Sequence, residues 1–151
     1  MAKPEGFNNR GLGGLTLQND KSATDIHGLD TLRMVELFKG FGFSCKPSSQ
    51  MRGISGTLHD FDFICVSHET GEKLVVQSLL HLSQQLEKLD IEVVKLRLST
   101  YDCSPDACLV VTDCLPDKVK QLASQYKLTI IDKCSGDSPY DQIESLLRLR
   151  A

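Results

Sequence analysis

The stretch Gly56-Thr57-Leu58-His59-Asp60-Phe61-Asp62-Phe63-Ile64-Cys65-Val66 decides how this chain is read, together with its return arm Lys73-Leu74-Val75-Val76-Gln77-Ser78-Leu79. Residues 61–66 are almost continuously apolar, the pattern of a strand covered on both faces. Leu74-Val75-Val76 is a shorter run of the same kind. Between the arms, His68-Glu69-Thr70-Gly71-Glu72 is polar and carries a glycine, which predicts a hairpin loop of a few residues. An acid, Asp62, enters the first strand, and an amide, Gln77, sits near the end of the second. That layout can hold a divalent cation against a phosphate.

Around this hairpin the chain is of ordinary size for one domain, 151 residues. Such a length buries about 70% of its unfolded surface, enough for a core without staples. With 40% apolar and 25% charged residues it reads as soluble and globular. The formal charge of −3 withholds the basic balance of a dedicated duplex binder, whose affinity comes from neutralising phosphates. The cysteines are Cys45, Cys65, Cys103, Cys108, Cys114 and Cys134. No apolar secretory segment opens the chain, so they read as thiols in a reducing, cytoplasmic setting. No window reaches the eighteen or so apolar residues of a membrane span.

Residues 1–25 stand apart. Gly6, Gly11, Gly13 and Gly14 lie among Asn8, Asn9, Gln18, Asn19 and Asp20, with too few apolar residues to offset chain ordering. A flexible tail is expected, with Leu12, Leu15 and Leu17 available as a short peptide that docks on a partner. Residues 26–151 are expected to form the single domain. Met34, Leu37, Phe38 and Phe41 share a helical face, with Asp30 as N-cap and Gly40 or Gly42 as the stop. Phe43-Ser44-Cys45 predicts a short strand, and polar residues 47–56 a loop. Residues 80–89 predict a helix striped by Leu82, Leu86 and Leu89. Residues 91–101 fit either period and are assigned to a helix, ended by Pro105. Residues 107–112 predict a buried strand, 115–126 a helix with Val119, Leu122 and Ala123 inward, and 128–132 a second strand. That βαβ unit implies parallel neighbours. A last helix covers 139–149.

The order of these pieces resembles the restriction-endonuclease-like superfamily, the PD-(D/E)XK nucleases, and most nearly its Mrr-type branch. The resemblance is carried by a helix followed by Gly42-Phe43-Ser44-Cys45, the hairpin Asp62…Gln77-Ser78-Leu79, a strand ending in Val111-Thr112, a helix, and Leu128-Thr129-Ile130-Ile131-Asp132. It covers residues 29–148 and implies an α/β fold, a central mixed β-sheet flanked by helices. In that family the acid binds a metal, usually Mg²⁺, a Glu or Gln on the second strand adds a contact, and a lysine two residues later activates water. Asp62 and Gln77 match the first two positions. The lysine position is Leu79, which carries no charge. Glu36 is available as the first-helix acid, although it sits later in the helix than usual, and Lys73 and Lys46 are the nearest substitutes for the lysine.

Three further patterns bear on chemistry. His59, Asp60 and Asp62 could gather round a metal, Asp60 and Asp62 sharing one strand face; the plainer reading is a solvated strand start with His59 capping the loop. Cys103, Cys108 and Cys114 lack the spacing of a zinc knuckle and read as structural thiols. No glycine-rich phosphate loop or nucleophile triad is present. The expected function is therefore a catalytically inactive restriction-endonuclease-like domain that binds a protein partner or another copy of itself, with no cofactor. The alternative is an Mg²⁺-dependent nuclease, or a non-cleaving nucleic-acid binder, using the Asp62/Gln77 groove.

Overall fold

The computed structural model describes residues 25–150. A two-strand hairpin opens it, β1 (Asp25–Ile26) and β2 (Leu29–Asp30), joined by His27 and Gly28. Both turn residues have positive φ, 48° and 88°, as a two-residue hairpin turn requires. Helix α1 (Thr31–Lys39) follows directly, its first turn capped by the Asp30 carboxylate, which accepts from the Arg33 amide.

The body is one five-stranded sheet in the order β3 (Phe43–Arg52), β4 (Leu58–Ser67), β5 (Lys73–Ser78), β6 (Ala107–Thr112), β7 (Thr129–Asp132). The first three strands are antiparallel and the last two run parallel to β5. Helix α2 (Leu86–Cys103) carries the chain from β5 to β6, and α3 (Asp117–Gln125) from β6 to β7. Their buried residues, among them Leu89, Val93, Val119 and Ala123, join one apolar cluster with Val75 and Val110. Met34 and Phe38 of α1, with Ile143 and Leu147 of α4 (Pro139–Arg150), join the other with Phe63, Val76 and Val111. The result is a mixed sheet with a helix pair on each face, as the α/β pattern implies. Among the described residues no helix is long and apolar enough to cross a membrane.

Three expectations on local structure are corrected. Residues 47–52 are strand rather than loop: β3 pairs with β4 down to Arg52↔Leu58. The stretch is polar because β3 is an edge strand, where Pro47 withholds no needed donor and Lys46 and Gln50 face solvent. Residues 80–89 are not one helix. A 3₁₀ turn, Leu80–Leu82, precedes α2, and Leu86 lies exposed because Leu89, Val93, Leu96 and Thr100 set the buried face. Cys114 is not a thiol but is disulfide-bonded to Cys134. The two cysteines follow the ends of the adjacent parallel strands β6 and β7, which brings their Cα atoms to 5.2 Å across a sequence separation of 20.

The tail with Leu12, Leu15 and Leu17 lies outside the described residues.

Candidate functional site

The hairpin of β4 and β5 pairs from Val66↔Lys73 to Phe63↔Val76 and then splays. Beyond that point β5 stays with β6, through Gln77↔Val110 and Ser78↔Val111. Asp62 and Gln77 stand where the two strands part, and side chains take over from the broken ladder. Asp62 N–H donates to Gln77 Oε1 at 3.0 Å, and Ser78 N–H donates to Asp62 Oδ2 at 2.8 Å. Each closes a backbone donor that the divergence would otherwise leave unpaired.

The opening hairpin completes the cluster. His27 Nδ1 lies 3.1 Å from Asp62 Oδ2, and the Ser78 hydroxyl donates to the His27 carbonyl at 2.6 Å. His81, from the 3₁₀ turn, stacks on His27 with ring centroids 3.9 Å apart. Burial, and then the neighbouring His27, hold the His81 pKa below its ordinary value. Gly28 lets the hairpin lie close, since a β-carbon there would press on the Leu80 side chain at a φ of 88°. Neither histidine was singled out by sequence reasoning. His27 is 35 residues from Asp62, and only the fold brings them together.

Leu79 follows Ser78 and lies 2% exposed within the cluster formed by Phe61, Leu82, Leu89 and Val93. Its N–H donates to the Val111 carbonyl at 2.7 Å, so its backbone is fixed by the sheet and its side chain by the core. Lys73 sits at the far end of β5, and Lys46, on β3, pairs with Ile64 of β4. Both line a groove of about 420 Å³ on the open sheet face, with Ser44, Gln50 and Val66. Glu36 is exposed on α1. Asp60 accepts from Gln50 Nε2 at 2.7 Å, so the two carboxylates of β4 serve different partners.

Asp62 Oδ2 is shared between the Ser78 amide and His27, Gln77 Oε1 accepts from the Asp62 amide, Asp60 accepts from Gln50, and His59 faces Asp102. Among the described residues no three His, Cys, Asp or Glu side chains gather as metal ligands would. Burial pushes the Cys108 thiol up to about 12, and burial with the adjacent Cys45 raises Cys65.

No family model and no curated protein matches this chain. A solved structure of a protein of unknown function, AF1548, is similar to it in fold. It aligns with 67% of this chain and 55% of its own, at a TM-score of 0.51 and 14% identity. The chain thus spans about half the length of that protein. The likeness is one of architecture and assigns no activity.

His59 does not cap its own loop. Its Nε2 lies 2.8 Å from Asp102 Oδ2, and Asp102 also accepts from the Ser55 amide at 3.0 Å and hydroxyl at 2.6 Å. This clasp fastens the β3–β4 turn to the end of α2. Gly53 is required beneath it, because a β-carbon there would run into the Asp102 carboxylate. The Ser55 hydroxyl, the Ser55 amide and His59, in that order, lower the Asp102 carboxyl from 3.8 to about 2. A carboxyl depressed by folding stabilises the fold above its unfolded pKa and loses that contribution as pH falls through the folded value. Wild type is therefore expected to exceed Asp102→Asn in denaturation midpoint by a constant margin above about pH 3.8, shrinking towards pH 2. A margin that does not change over that range would remove the clasp from the account.

Proposed function

We propose that this chain is a catalytically inactive domain of restriction-endonuclease-like build, kept as an interaction or assembly module. The observation that carries the reading is Leu79. Where a catalytic lysine would have to reach water, an apolar side chain is 2% exposed and packed into the core. Asp62 supports the same reading, since it holds together the point at which β4 and β5 part rather than facing an open groove. Fold likeness by itself fixes no function, so the weight rests on these side chains.

A second reading has one observation in its favour. Lys46 and Lys73 line an open polar groove on the sheet face, suited to a phosphate backbone without cleavage. The two readings separate in one assay. Under the first, DNA and RNA are neither cut nor retained in Mg²⁺ or Mn²⁺. Under the second they are retained without cleavage, and retention falls steeply with salt.

A further inference from the structure

Helix α2 is apolar on its outward face as well as its inward one. Leu89, Val93, Leu96 and Thr100 are buried, whereas Ile91, Val94, Leu98 and Tyr101 are 55%, 40%, 64% and 71% exposed. At 3.6 residues per turn, the exposed set centres roughly 150° round the axis from the buried one. Its steps of three, four and three residues are those of a coiled-coil seam, with Ile91 and Leu98 at a positions and Val94 and Tyr101 at d positions. Nothing within the described chain covers it.

The charges beside the seam indicate what does. The g positions are Asp90 and Arg97, and the e positions are Lys95 and Asp102. In a parallel helix pair each g residue meets the e residue five places later on the other helix, and such pairs choose partner and orientation. Two copies of α2 side by side would join Asp90 to Lys95 of the second copy, and bring Arg97 beside Asp102 of the second copy, whose carboxylate is already held by Ser55 and His59 of its own chain, so the Asp90–Lys95 pair carries the orientation. Both are opposite-charge pairs, and two-fold symmetry repeats each. The antiparallel alternative would bring Arg97 and Lys95 near their own counterparts, like against like.

Asp90, Lys95 and Arg97 are placed for the contact. Among the described residues the Asp90 carboxylate has no hydrogen-bond or ion-pair partner. Lys95 holds only an exposed contact with Glu92 at 3.4 Å, which is worth little. The Arg97 guanidinium lies over the Tyr101 ring at 5.2 Å, at the rim of the seam. The buried and exposed faces are nearly opposite, so the two domains would stand on opposite sides of the helix pair.

We propose that the chain forms a two-fold dimer in which α2 packs in parallel against α2 of a second copy along Ile91, Val94, Leu98 and Tyr101. This rests on the interaction-module reading and names its partner as the chain itself.

Sedimentation equilibrium of the full chain tests it. At tens of micromolar, roughly the range of a modest interface, wild type is expected at twice its 16.7 kDa. Leu98→Glu is expected to be a monomer with unchanged circular dichroism and unfolding midpoint, since Leu98 faces solvent in the single chain. Asp90→Lys and Lys95→Asp should each weaken association about tenfold or more, and the double variant should recover most of that loss. A monomeric wild type, a dimeric Leu98→Glu, or no recovery in the double variant would overturn the proposal. So would a monomer that dimerises only after residues 1–24 are removed, because this chain's own N-terminal segment would then be the occupant. Nucleic-acid cleavage dependent on Asp62 would end the inactive-domain reading and leave the dimer standing; a monomer would do the reverse.

Discussion

Leu79→Lys destabilises the fold by about 2–5 kcal/mol, the range for removing a large buried aliphatic side chain, and leaves nucleic-acid cleavage at background. The substitution restores the residue type that a water-activating nuclease would need. It does so at a side chain 2% exposed, in the cluster with Phe61, Leu89 and Val93. An ammonium group cannot stay there uncompensated. It must carry water in, lose its proton or drag its stem to the surface, and each route gives up the packing leucine supplies. Urea denaturation reads the loss. Unchanged stability together with new metal-dependent cleavage would mean that position 79 opens on a working site.

Reducing the Cys114–Cys134 bond removes a comparable amount, about 3 kcal/mol on the loop-closure argument for a loop of this size. The sequence separation is 20, and the bond joins the turn after β6 to the turn after β7. Both strands still pair in the reduced chain, so the loss is expected as a lower denaturation midpoint with native structure retained. Cys114→Ser should show the same midpoint with and without reductant. A reductant effect that persists in Cys114→Ser would place the sensitivity elsewhere, with Cys45 and Cys65 next in line, their sulfurs 2.8 Å apart across β3 and β4.

The central strands were legible because their chemistry is local. Residues 61–66, apolar but for Asp62, and 107–112 read as buried strands, and the short helix between 107–112 and 128–132 implies a parallel pair. The α1 face was legible for the same reason, since Met34 and Phe38 recur at helical spacing and both are buried. Polar edge residues misled at β3, where backbone pairing to β4 rather than side-chain burial makes the strand. In α2 the helix was readable but its inside was not. Two apolar stripes compete there, and only packing against the sheet selects Leu89, Val93 and Leu96 over Ile91, Val94 and Leu98.

The site divides along the same line. Asp62 and Gln77 stood out as polar residues on the hairpin and Leu79 through the resemblance to the nuclease motif, and the fold brings the first two together at 3.0 Å. What spacing could not supply was His27, since a hairpin ahead of α1 reaches the end of β5 only through tertiary packing. Nor could it tell whether Asp62 faces a groove or closes a gap in the ladder. The disulfide was missed because neither cysteine is informative until β6 and β7 lie side by side.

The proposed inactivity requires Asp62 to act as a fastening between diverging strands instead of a metal ligand. The most direct measurement is cleavage of mixed single- and double-stranded DNA and RNA in Mg²⁺ and in Mn²⁺, run beside Asp62→Ala. Wild type and variant should both stay at background. Asp62→Ala should unfold earlier by about 1–3 kcal/mol, because the Ser78 N–H is left unpaired. Cleavage by wild type that disappears in Asp62→Ala would contradict the account.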